Sequence, residues 1–97
     1  MHIITFKRLS AFWDVHPDAE QPLRAWFHYA RRAVWRTPAD VKRDFAGASI
    51  ITGNRVVFNI KGNTYRLVVK IEYRLGRIYI RFVGSHTEYD RVDVTTI

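Results

Sequence analysis

The chain has no cysteine among its 97 residues, so neither a disulfide nor a thiolate-held metal can belong to its design. Acidic residues are scarce: nine Asp and Glu stand against sixteen Lys and Arg, for a formal charge of +7 and a pI near 10.3. Long hydrophobic runs are missing too. The apolar stretches are short pieces such as Leu67-Val68-Val69 and Ile78-Tyr79-Ile80, far below the roughly 20 residues of a membrane-spanning helix. No secretory signal is recognisable, so no membrane association is expected and the cytoplasm is the expected location. No repeat, low-complexity stretch or linker divides the chain, and residues 1–97 are expected to form a single domain.

What is present is enough apolar side chain to build a core: 47% of the residues are hydrophobic and 14% aromatic, which argues against global disorder. A domain this small is only modestly stable, so a partner that covers surface would matter to it. Met1 to Thr5 is a short apolar segment able to pair as a strand. Leu9, Phe12, Trp13 and Val15 then fall at helical intervals, and Pro17 closes that segment. A second helix is expected with Asp18 as N-cap and Pro22 in the first turn. Its apolar stripe is Leu23, Trp26, Phe27, Ala30 and Val34, and Arg31, Arg32 and Arg36 lie near its negative end. Thr37-Pro38-Ala39-Asp40 reads as a third helix start, with Thr37 as cap and Asp40 three residues on; that helix is short and Gly47 ends it.

From Ile50 the period becomes two. Arg55 to Ser85 parses as three strands, with Gly62-Asn63 a good two-residue hairpin turn and Leu75-Gly76 a weaker one. These turns would set Asn59 opposite Arg66, Val57 opposite Val68 and Arg55 opposite Lys70. In the second hairpin they would set Lys70 opposite Arg81, Glu72 opposite Tyr79 and Arg66 opposite Ser85, all projecting from one face of the sheet. The other face collects Val56, Phe58, Ile60, Tyr65, Leu67, Val69, Ile71, Ile78, Ile80 and Phe82, none of them charged. That face needs covering by the amphipathic helices. The expected class is α+β, with the N-terminal helices packed on one face of a small antiparallel β-sheet and the other face open.

The open face is where charge accumulates. Arg55, Lys61, Arg66, Lys70, Arg74, Arg77 and Arg81 meet a single acid, Glu72, between positions 55 and 81. A basic stretch is either a solvated surface or a binding site. Registration of its charges on one side of three strands favours a surface for a polyanion: nucleic acid, a ribosome, an anionic membrane or an acidic protein.

Metal chemistry has no footing in the sequence. His2, His16, His28 and His86 are not at metal-ligand spacing, and the acids form no paired-carboxylate motif, so no metal or cofactor is expected. His28, inside a helix, reads as a boundary or core residue. Phosphodiester cleavage without a metal remains, because RNA carries its own nucleophile in the 2′-hydroxyl. A protein then has only to position the phosphate, balance charge and move two protons. Arginine suits phosphate because its guanidinium is permanently charged and forked; histidine suits proton transfer; tyrosine can stack on a base or donate a proton. Arg66 lies on the polar face, and Ser85-His86-Thr87-Glu88-Tyr89-Asp90 follows the last strand at the same end. A helical turn beginning at His86 would point His86 and Tyr89 the same way. The same residues could equally form a C-terminal cap, with Tyr89 packed down and Asp90 paired to Arg91.

Two blocks carry a family resemblance. Asn54 to Val69, read as NRVVFNIKGNTYRLVV, and Ile80 to Asp90, read as IRFVGSHTEYD, resemble the HigB toxin family, as do the Met-His-Ile-Ile opening and the Thr37-Pro38-Ala39-Asp40 helix start. The resemblance covers nearly the whole chain. It implies the RelE-like microbial ribonuclease fold and a type II toxin. Such a toxin is an mRNA endoribonuclease, in many members acting on message in the ribosomal A site, held in check by a helix-turn-helix antitoxin of HigA type. DNA would be met only through that antitoxin. By the same resemblance Arg66 is the phosphate-binding arginine, and His86 and Tyr89 form the acid/base region with Asp90 beside them. RelE carries a pair of lysines on the strand before the first hairpin turn; here that strand reads Phe58-Asn59-Ile60-Lys61, so Asn59 and Lys61 are the candidates to replace them and the general base is open. Arg55, Asn59, Lys61, Lys70 and Arg81 are the candidate RNA contacts. A non-catalytic RNA- or ribosome-binding module using the same basic face is the competing expectation, and a face devoted to an acidic protein partner is a third.

Overall fold

Helical spacing in the first half and alternation in the second are both realised in the computed structural model, which describes all 97 residues. In order these are β1 (His2–Ile4), α1 (Phe6–Val15), a 3-10 turn (Pro17–Ala19), α2 (Glu20–Arg32), α3 (Pro38–Asp44), β2 (Ser49–Ile51), β3 (Arg55–Ile60), β4 (Tyr65–Glu72), β5 (Arg77–Ser85) and α4 (His86–Tyr89). The strands form one five-stranded sheet in the order β1-β5-β4-β3-β2. All neighbours are antiparallel except β1, which runs parallel to β5. The sheet is therefore mixed, not purely antiparallel. A three-residue apolar segment carries no information on direction, and the long path from β1 to β5 permits the parallel pairing.

The fold is α+β, with α1 and α2 against one sheet face. Leu9 and Trp13 of α1 and Leu23, Trp26 and Ala30 of α2 meet Val56, Phe58, Leu67, Val69, Ile71, Ile78 and Ile80 in a core cluster of 19 buried residues. The helix stripes are shorter than their apolar residues suggest. Extended backbone at Ala33 ends α2 after Arg32, so Val34 is 67% exposed, and Val15 at the end of α1 is 74% exposed. Trp35 in the α2–α3 connection, by contrast, is fully buried, its indole N–H donating to Asp44 Oδ2 at 2.9 Å. His28 is exposed rather than a core or boundary residue.

Helix α3 starts as its sequence dictates: Thr37 and Asp40 make a reciprocal capping box. It ends at Asp44, before Gly47 is reached. Helix α2 has Ala19, not Asp18, at its N-cap, with no side-chain cap. Asp18 instead accepts hydrogen bonds from Lys61 Nζ at 2.7 Å and from the Tyr65 hydroxyl. Those long-range partners, two charge-assisted bonds, outweigh one exposed cap.

The β3–β4 hairpin has the expected register, with Asn59 opposite Arg66, Val57 opposite Val68 and Arg55 opposite Lys70. Its turn closes by Thr64 N–H to Lys61 O at 3.1 Å, and Gly62 sits at φ +61°, a backbone region open to glycine at no steric cost. The β4–β5 register differs. The turn, Tyr73 to Gly76, is centred on Arg74-Leu75 rather than Leu75-Gly76, so Glu72 faces Arg77 and Lys70 faces Tyr79. A bulge opposite Val68/Val69 then makes Arg81 an extra residue, and beyond it Val68 faces Phe82, Leu67 faces Val83 and Arg66 faces Gly84. One inserted residue flips everything after it. Phe82 therefore moves to the outer face, at the sheet edge beside α1 and α4, and Val83 takes its place against the core. Ser85 pairs with Tyr65 instead of Arg66.

The outer face is not bare. Val57 and Val68 at its centre are 3% and 0% exposed, yet neither belongs to the helix-side cluster. The chain after α4 returns over them: Arg55 Nε donates to Ile97 O at 2.7 Å, and Val92, Val94 and Ile97 are half-buried.

Candidate active site

Two ends of the outer face differ in chemistry. At the end where β4 begins and β5 finishes, Arg66 lies opposite Gly84, and the His86 N–H donates to Thr64 O at 3.1 Å. The sheet thus brings the backbone of Arg66 within two residues of the start of α4. Arg66 Nη1 donates to Asn63 O at 3.0 Å and Tyr65 O at 3.2 Å. Its other nitrogens have no protein acceptor, which leaves part of a half-exposed fork for a phosphate oxygen.

Helix α4 exists because Ser85 and Glu88 cap it reciprocally: Glu88 N–H donates to Ser85 Oγ at 3.1 Å and Ser85 N–H to Glu88 Oε1 at 2.8 Å. The Ser85 N–H and hydroxyl hold the Glu88 carboxyl below its usual range, so it is anionic at neutral pH. On this one turn His86 Nε2 sits 3.4 Å from Asp90 Oδ2, both side chains more than half exposed, and Tyr89 packs its ring 6.5 Å from Phe82. Gly84 is what allows that approach, since a Cβ there would stand 2.6 Å from the Phe82 ring and 3.2 Å from Glu88 Oε1. Arg66, His86, Tyr89 and Asp90 are thus gathered at one end of the molecule.

The other basic residues are dispersed. Lys70 and Arg81 lie on the outer face toward the far end, with Arg81 5.8 Å over the Tyr79 ring. Arg55 is held by Ile97, and the Asn59 amide donates to Gly47 O at 3.3 Å. Lys61 leaves the outer face altogether, its ammonium paired with Asp18 on the helix side. That pairing, then the Tyr65 hydroxyl, lowers the Asp18 pKa, and Asp18 in turn raises that of Tyr65. No three His, Asp or Glu side chains come together as a metal-ligating group, and no helix is long and apolar enough to cross a membrane.

A family model for the HigB toxin, the RelE-like toxic component of a toxin–antitoxin system, matches residues 19–92. This chain belongs to the HigB toxin family. The match takes in α2 through α4 and every residue gathered around Arg66. Among characterised relatives, an mRNA interferase toxin HigB of Escherichia coli and an mRNA interferase HigB of Shigella flexneri are each 29% identical over 92 residues, covering 93% of this chain and 88% of theirs. Membership in the family makes an antitoxin the natural partner of this chain.

Sequence reasoning passed over a second group beside α4. Arg8 of α1 reaches the unpaired edge of β5, where Nη1 donates to Ile80 O at 2.8 Å and Nη2 to Arg81 O at 3.3 Å. His16 stacks on Phe12 with centroids 4.5 Å apart and lies 5.7 Å from Tyr65. Neither Arg8 nor His16 belongs to a motif. Only the packing of α1 along β5 brings them to the site.

Proposed function

We propose that this chain is the toxin of a type II toxin–antitoxin pair and that it cleaves mRNA with no metal ion, on ribosome-bound message. The gathering of Arg66, His86, Tyr89 and Asp90 around the α4 end of the sheet carries this reading, together with family membership and relatives named mRNA interferases. In the reaction the 2′-oxygen attacks the adjacent phosphorus while its proton passes to a base. The bond from phosphorus to the 5′-oxygen breaks, that oxygen takes a proton from an acid, and a 2′,3′-cyclic phosphate is left. Arg66 would grip the non-bridging oxygens, where charge grows in the transition state. His86, oriented by Asp90, would transfer a proton, and Tyr89 would stack on a base or donate the second proton.

Lys70 and Arg81, free of anionic partners in the chain, would track the backbone of the RNA along the outer face, with Arg55 and Asn59 available only after exchange of their present contacts. Lys61, paired with Asp18, is the weakest of the proposed RNA contacts. The antitoxin, a helix-turn-helix protein of HigA type, would mask this basic surface and provide the only link to DNA. Incubating the purified protein with ribosome-programmed mRNA in magnesium buffer, and with free mRNA in EDTA, tests the reading. Cleavage in either arm supports a nuclease, and cleavage in EDTA its independence of metal; tight binding with intact message in both makes the chain a binding module instead.

A further inference from the structure

Between α1 and the α4 end of β5 lies a cavity of about 420 Å³, widely open to solvent and lined by Arg8, Phe12, Val15, His16, Phe82 and Glu88 among others. Its polar groups are already positioned. Glu88 is fixed through one oxygen by Ser85 N–H, Arg8 is anchored on two β5 carbonyls, and the half-buried His16 ring, stacked on Phe12, has no hydrogen-bond partner. Its apolar wall includes Val15, otherwise an unexplained exposed side chain at 74%. Phe82 joins the cavity to the proposed cleavage site, because the same ring that lines it packs against Tyr89.

We propose that this cavity is a base-binding subsite: an unpaired nucleobase next to the scissile phosphate enters it and presents an amino edge to Glu88. The chemistry favours guanine. A carboxylate only accepts hydrogen bonds, and the Watson–Crick edge of guanine offers two adjacent N–H donors to its two oxygens. Uracil has a single N–H flanked by carbonyls that would face the carboxylate. Phe82 supplies an aromatic face, which holds any base by stacking, so discrimination falls to Glu88 and His16. The site is wide enough for a purine and lies off the outer face, so the strand would pass around α4 with its phosphate at Arg66 and its base in the cavity. The assignment rests on the RNA-cleaving reading above and adds to it a preferred base.

Mapping new 5′ ends across the transcriptome after induction of the protein tests this. Three forms are compared: wild type, Glu88→Gln, and Ala11→Trp, which fills the cavity from α1. Glutamine retains the capping box but replaces an acceptor-only edge by one that also donates. Wild type is expected to show guanine enriched at one fixed offset from the cut. Glu88→Gln should reduce that enrichment about tenfold, the scale of a bidentate base contact, while cuts continue at other sequences. Ala11→Trp should abolish the enrichment. Equal guanine enrichment in all three forms, with circular dichroism showing the variants folded, would overturn the subsite, as would wild-type cuts with no base preference. Absence of any new ends in the wild type would bring down the cleavage reading itself, a different failure.

Discussion

Arg66 and His86 are exposed enough to be removed without opening the core. Arg66 loses only two hydrogen bonds to its own hairpin turn when cut back to alanine, so Arg66→Ala should alter stability by no more than about 1 kcal/mol. Cleavage should fall about 100-fold or more, as when a transition-state charge loses its donor. Growth inhibition equal to the wild type, at matched expression, would take Arg66 out of the site. His86→Ala should slow cleavage by about 100-fold and change its pH dependence; an identical pH–rate curve would reduce His86 to the first residue of a capped turn. Asp18 makes a different kind of prediction. Its folded pKa lies below the unfolded value because Lys61 and Tyr65 bond the carboxylate. The contribution is therefore complete above the ordinary carboxylate range and is lost as pH falls through the lowered folded value. Asp18→Asn should cost stability at neutral pH and cost progressively less in acid. Parallel stability curves for the two proteins from neutral to acid pH would remove the ionic part of that contact.

At the scale of elements, the β5 bulge and the segment after α4 decide what the outer face offers. The bulge turns Phe82 outward, and the returning chain covers Val57 and Val68. Deleting Arg91–Ile97 should uncover both valines and free Arg55, at a cost of about 2–4 kcal/mol from lost apolar burial. The helix-side core is untouched, so unfolding should stay cooperative with a lower Tm. An unchanged Tm would mean that this segment does not cover the valines. Hairpin β3–β4 was readable in advance because a short turn at Gly62-Asn63 sets its register locally. Hairpin β4–β5 was not, since its turn is centred on Arg74-Leu75 with Gly76 closing it rather than lying at its centre, and a bulge leaves alternation intact on either side of itself. Asp18 looks like a cap in the sequence for a related reason: its two partners are more than forty residues away.

For the molecule as a whole, a charge of +7 is a statement about partners more than about fold. Four of the sixteen Lys and Arg are spoken for: Arg24 by Glu20, Arg43 by Asp40 and Asp44, Lys61 by Asp18, and Arg55 by Ile97. Arg66, Lys70, Arg77 and Arg81 are left on β4 and β5 without an acidic partner. If these four meet phosphates, the affinity for single-stranded RNA should fall with added salt at a log–log slope of about −3. A slope near zero, measured by titration of a cleavage-resistant RNA, would show that the basic face does not contact the backbone. The antitoxin should compete with that RNA.

Periodicity and turn chemistry in the chain alone determined that helices precede a sheet, which residues of β3, β4 and the first part of β5 face its core, where α3 and the first hairpin begin, and that Arg66 and the Ser85–Asp90 segment share one end. These depend on neighbours a few residues apart, whose interactions form whatever the rest of the molecule does. Tertiary structure alone decided the parallel placing of β1, the inversion of β5 beyond Arg81, the covering of Val57 and Val68, and the meeting of Arg8, His16 and Glu88 around one cavity. Each of those turns on contacts between distant segments, where a kilocalorie or so selects among arrangements that local sequence leaves nearly equal.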